Sequence, residues 1–155
     1  MKKILPLLVL TGILTLFTSC VYVGPVYHET YDFTFNNNTI WNVYDWYLKD
    51  SDGHNHSKNG DRYNKVSALS KSTYHDLYKD YYTVIFSYES RPDFFDYYAS
   101  AYDVYLNTDT EYKLLQDDFY EKRAAVISGE EVVNEPNFYL VDSEGNRIEM
   151  VKIEK

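Results

Sequence analysis

The 155-residue sequence contains one cysteine, so no intramolecular disulfide can form and a folded domain must rest on its core alone. Glycine is equally thin: six scattered glycines offer no Walker-type spacing, which excludes a phosphate-cradling loop. Beyond residue 19 leucine and alanine are sparse, an unfavourable composition for long helices. Basic residues number 15 against 24 acidic ones and form no cluster. A polyphosphate is bound by releasing counterions to a basic face, so nucleic acid is not an expected partner. No apolar run reaches the roughly 20 residues that a membrane-spanning helix needs.

What is present begins at the N-terminus. Lys2 and Lys3 precede a mostly apolar stretch from Ile4 to Phe17, which ends in Phe17-Thr18-Ser19-Cys20. A basic start, a short apolar run and small residues before a break form the layout of an export signal over residues 1–19. Small residues directly before a lone cysteine suit lipid transfer to its sulfur. The pattern resembles the lipobox of bacterial lipoproteins, with Phe17 where the commonest versions carry Leu; relaxed versions, as in spirochaetes, accept other bulky apolar residues. That resemblance implies cleavage before Cys20, a covalent diacylglyceryl and N-acyl lipid on Cys20, and no other cofactor. It also implies a protein lipid-anchored to the bacterial membrane. Val21 follows the cysteine instead of the Asp associated with inner-membrane retention, so the outer membrane is the expected site where the host has one. Two or more acyl chains give stable anchoring, whereas one gives only marginal binding.

Without its first 19 residues, and so without Lys2 and Lys3, the chain keeps 13 basic against 24 acidic residues, a formal charge of −11. Such a surface is soluble and is repelled by anionic headgroups. Residues 20–30, with Gly24-Pro25, read as a tether; its nine residues from Val21 to Glu29 reach about 30 Å when extended. Residues 31–155 then suit a single domain.

All 18 tyrosines lie beyond the signal, and two-residue alternation dominates the chain from Tyr31. Tyr31, Phe33 and Phe35 share one face of a strand that exits at Asn36-Asn37-Asn38. Tyr44, Trp46 and Leu48 share a face of the next, followed by a polar loop over residues 50–60. A short strand is expected at Val66–Leu69. Another segment places Thr73, His75 and Leu77 on one face. Tyr82, Val84, Phe86 and Tyr88 mark a core strand. Glu89 to Asp96 reads as a loop, Tyr98–Leu106 and Thr110–Leu115 as a strand pair, and residues 117–127 either as a short helix capped by Asp118 or, the favoured reading, as an edge strand. Asp142-Ser143-Glu144-Gly145-Asn146 between Phe138–Val141 and Ile148–Ile153 is a hairpin signal. Short strands at this spacing without helices predict an all-β, antiparallel, immunoglobulin-like β-sandwich. The segment order over residues 31–115 resembles small exported bacterial β-sandwich modules and implies no functional residues.

Three constellations bear on chemistry. Asp50, Asp52, His54 and His56 concentrate carboxylates and imidazoles, but an EF-hand needs Gly at the sixth and Glu at the twelfth position, where this loop has Gly53 fourth and Asp61 twelfth. Zinc or copper would need a third ligand that the sequence does not identify, so turn chemistry is the expected role. Phe94, Phe95, Tyr97 and Tyr98 group around a loop and offer rings for stacking on a sugar or a protein; the competing reading places alternate rings in the core. No nucleophile elbow, zincin helix or spaced pair of catalytic carboxylates is visible, and no enzyme is expected. The expected function is a non-catalytic structural or interaction module displayed from the membrane to an envelope or host protein or a glycan. The alternatives are a carbohydrate- or metal-binding module and an envelope enzyme.

Overall fold

The computed structural model of the chain describes residues 28–57, 64–117 and 136–154. Cys20, the export signal before it and the expected edge strand at 117–127, apart from Asp117, lie outside the described residues. The described residues are all β. The strands are β1 (Thr30–Asn37), β2 (Val43–Lys49), β3 (Asn55–His56), β4 (Ser70–Tyr78), β5 (Asp80–Arg91), β6 (Phe94–Ser100), β7 (Val104–Leu106), β8 (Thr110–Gln116), β9 (Phe138–Val141) and β10 (Arg147–Ile153).

Nine of them follow one hydrogen-bonded path, β3-β2-β5-β6-β10-β9-β8-β1-β4, and β7 hangs on the first part of β5. β10 turns the corner, pairing with β9 through Arg147–Glu149 and with β6 through Met150–Ile153. The sheet therefore curls, and the inner faces of its two arms meet. Phe33 and Phe35 from β1 oppose Trp46 from β2 and Phe86 from β5; Phe35 stacks on Trp46 at 4.9 Å between centroids. Phe138 from β9 closes on Phe86, Tyr88 and Tyr98 at 5.2–5.3 Å. Edge-to-face ring pairs of this kind contribute about 0.5–1.5 kcal/mol each beyond the area they bury.

One pairing departs from the antiparallel expectation: β1 and β8 run parallel, Phe33 opposite Thr110 and Asn37 opposite Leu114. Parallel neighbours need a long crossover, and the whole of β2 to β7 supplies it. β5 follows its sequence pattern, with Tyr82, Val84, Phe86 and Tyr88 all buried. β2 and β4 do not. In β2 the inward residues are Val43, Trp46 and Leu48, and Tyr44 stands on the outer side; in β4 Tyr74 and Leu77 point inward, so Leu77 does not share a face with Thr73 and His75. Both strands carry a register shift, and each has an aspartate with a left-handed backbone there, Asp45 at φ 48° and Asp76 at φ 60°. Aspartate tolerates that conformation better than most residues, and the extra residue of a bulge reverses which side chains face the core.

Three other segments differ from expectation. Glu89 to Asp96 is the end of β5, a tight turn at Pro92-Asp93 and the start of β6, because Pro92 fixes its φ and Asp93 takes φ 66°. The expected strand Tyr98–Leu106 is broken at Ala101–Asp103 into β6 and β7, and neither forms the expected pair with Thr110–Leu115: β7 pairs with β5, and β8 with β1 and β9. Val66 forms only a single bridge to Val43. The hairpin at Asp142–Asn146 is present, with Gly145 at φ 89° and Asp142 Oδ1 accepting from the N–H of Glu144 and Asn146 at 2.9 and 2.8 Å.

Candidate functional site

Strand directions give the domain two ends. At one lie the start of β1 at Thr30, the β2–β3 turn, the β4–β5 turn, and the turns before β8 and β10; at the other lie the β1–β2 loop, the β5–β6 turn and the end of β8.

At the first end the carboxylates serve the protein's own turns. Asp50 Oδ1 accepts from His54 N–H at 2.7 Å, while Oδ2 meets His56 Nε2 at 2.9 Å and His54 Nδ1 at 3.4 Å. The His56 hydrogen bond is the main reason that the Asp50 carboxyl titrates at about 2, with the His54 N–H adding to it. Burial alone would raise Asp80, but hydrogen bonds from Tyr81 N–H and Ser51 hold it below its ordinary value. Burial, with Asp80 and Asp50 nearby, pushes the Tyr82 phenol up to about 12. The expected candidates Asp50, His54 and His56 thus come together as a clasp; Asp52 is exposed in the same turn. Among the described residues no group of three His, Cys, Asp or Glu side chains is placed to hold a metal ion.

The other end is built differently. Asn37, fully buried, donates through Nδ2 to the carbonyls of Trp41, Val66 and Ser67 at 2.8–3.1 Å and accepts through Oδ1 from the Thr39 hydroxyl at 2.7 Å. Gln116 Oε1 accepts from Ile40 N–H at 3.3 Å. These bonds satisfy a loop that lacks a strand partner, and so fix Ile40 and Trp41 at the rim. Between that loop and β5 opens a pocket of about 220 Å³, lined by Ile40, Trp41, Asn42, Tyr44 and Glu89. The outer face beside it is aromatic: Phe95 packs edge-on to Tyr44 at 5.3 Å, and Tyr97 donates its hydroxyl to Asp45 at 2.9 Å. Phe94 projects from the turn, 66% exposed, with the Arg91 guanidinium 5.9 Å from its ring centre.

Of the rings grouped by sequence, Phe94, Phe95 and Tyr97 share this surface, whereas Tyr98 belongs to the core. Tyr44, Asn42 and Glu89 escaped sequence reasoning. Strict alternation put Tyr44 beside Trp46, and the available warning was Asp45, an acid inside an otherwise aromatic strand. Trp41 Nε1 and Gln116 Nε2, both at this end, are buried N–H groups without a hydrogen-bond partner among the described residues, as is Trp46 Nε1 in the core. Comparison with known proteins yields no relative: no family model, curated protein or solved structure matches the chain.

Proposed function

We propose that the chain is a lipoprotein of the bacterial envelope, exported through residues 1–19, lipid-anchored at Cys20, and displaying a non-catalytic recognition domain. Where the host has an outer membrane, that is its expected site. The observation that carries this reading is the domain's polarity. β1 starts at the acidic end, so a tether ending near Glu29 would hold that end toward the bilayer and turn the pocket and Phe94 outward. Acidic turns repel anionic headgroups, and lipid attachment raises local concentration so that weak contacts become effective. We further read the curled sheet as an immunoglobulin-like sandwich in architecture, a reading supported by the facing aromatic layers of its two arms.

The test is Cys20→Ala. Radiolabelled palmitate incorporation into the wild type, lost in the variant together with membrane fractionation, is the expected result; equal labelling of both would overturn the anchor. Protease shaving of intact cells then separates surface display from periplasmic display.

A further inference from the structure

We propose that the pocket formed by Ile40, Trp41, Asn42, Tyr44 and Glu89 binds a neutral sugar ring, one unit of a glycan. The inference deepens the recognition reading above and rests on it for its biological setting, but the binding itself is independent of the anchor.

Size restricts the ligand first. At about 220 Å³ the pocket is smaller than the roughly 300–1,000 Å³ that buries a drug-sized molecule, and suits a single ring. Its chemistry is mixed in the way a pyranose is mixed. Trp41 and Tyr44 offer ring surface for the apolar C–H face of a sugar. Glu89 uses Oε1 to accept from Asp93 N–H at 3.1 Å, and its second oxygen has no partner among the described residues. Asn42 accepts from Ala68 N–H at 3.2 Å and keeps its NH₂ without a partner among the described residues. A hydroxyl both donates and accepts, and so can meet an unpaired carboxylate oxygen and unpaired N–H groups together.

Other ligand classes fit less well. An anion would face Glu89 in a chain of formal charge −9. A cation cannot accept from the Asn42 NH₂, and the Lys65 ammonium already stands 5.7 Å from the centre of the Tyr44 ring. The walls are set before any ligand arrives, because Asn37 and Gln116 hold the Ile40–Trp41 loop and the Pro92-Asp93 turn fixes the end of β5. Such preorganisation lowers the ordering cost of binding.

The experiment uses the full chain in a zwitterionic detergent without a sugar headgroup. Cellotetraose, chitotetraose and lactose are titrated by calorimetry and tryptophan fluorescence, with tetramethylammonium chloride as the cationic comparison. Expected is saturable binding of at least one glycan below about 10 mM, weakened about tenfold or more in Tyr44→Ala and in Glu89→Gln. Trp41→Phe keeps a ring of smaller surface and should weaken binding by a smaller factor; Asp50→Asn at the opposite end should leave it unchanged. Glu89→Gln is isosteric and exposed, so it tests the site even if Tyr44→Ala fails to fold. Absence of saturable binding by all three glycans, glycan affinity unchanged in Glu89→Gln, or saturation by tetramethylammonium in place of every glycan would overturn the site. Palmitate labelling of Cys20 reads the anchor separately, so loss of one reading leaves the other standing.

Discussion

The two ends of this domain use polar side chains in opposite ways. At the end where β1 begins, Asp50, Asp80 and Asp142 each accept two or more hydrogen bonds from the turns gathered there, and the imidazoles of His54 and His56 close on Asp50. At the other end the buried amide of Asn37 is fully engaged, yet polar groups lining the pocket beside it are not: one Glu89 oxygen and the Asn42 NH₂ have no partner among the described residues. A cluster of acids and histidines looks more like a functional site in sequence, but its bonding capacity is consumed internally. Recognition needs groups that the fold positions without satisfying, and those lie at the aromatic end.

Three perturbations would break or sharpen this contrast. The largest tests whether both ends stand on one core: Phe86→Ala empties the ring that touches Phe35, Tyr98 and Phe138, and should cost about 3–5 kcal/mol in urea unfolding. Both ends should melt in one transition; separate transitions by tyrosine and tryptophan probes would show two independent units. Next, Asn37→Ala removes one donor from the carbonyls of Trp41, Val66 and Ser67 and the acceptor of the Thr39 N–H and hydroxyl, and should cost about 1–3 kcal/mol. It should loosen the pocket end, seen as faster amide exchange at Ile40–Asn42, while exchange at His54 stays unchanged; equal loosening at both ends would erase the distinction. The smallest effect concerns acid. Asp50 has its carboxyl lowered from 3.8 to about 2, so the clasp's contribution is present above the unfolded value and disappears as pH falls through about 2. Melting temperature should therefore fall less steeply between pH 4 and 2 in Asp50→Asn than in the wild type, and a carboxyl resonance of Asp50 should titrate well below the ordinary range.

Much of the fold is legible in the chain because alternation is a local property. The β1 and β5 patterns and the Asp142–Asn146 hairpin follow from side-chain period and turn chemistry, which depend on near neighbours. The pocket is not legible in that way. It needs the bulge at Asp45 to send Tyr44 outward, the β5–β6 turn to bring Phe95 against it, and the Asn37 contacts to lift Trp41 to the rim. The metal-like loop was legible as a cluster, but the direction of each carboxylate was not.

By itself the sequence determined that this domain is built from strands, holds no internal disulfide and is acidic, because composition and two-residue period act within a few residues. Only the tertiary structure decided the curled sheet with its parallel β1–β8 pair, which tyrosines became core, and which end kept unsatisfied groups. Those outcomes depend on long-range pairing and on two bulges, and a one-residue shift in register exchanges the faces of an entire strand.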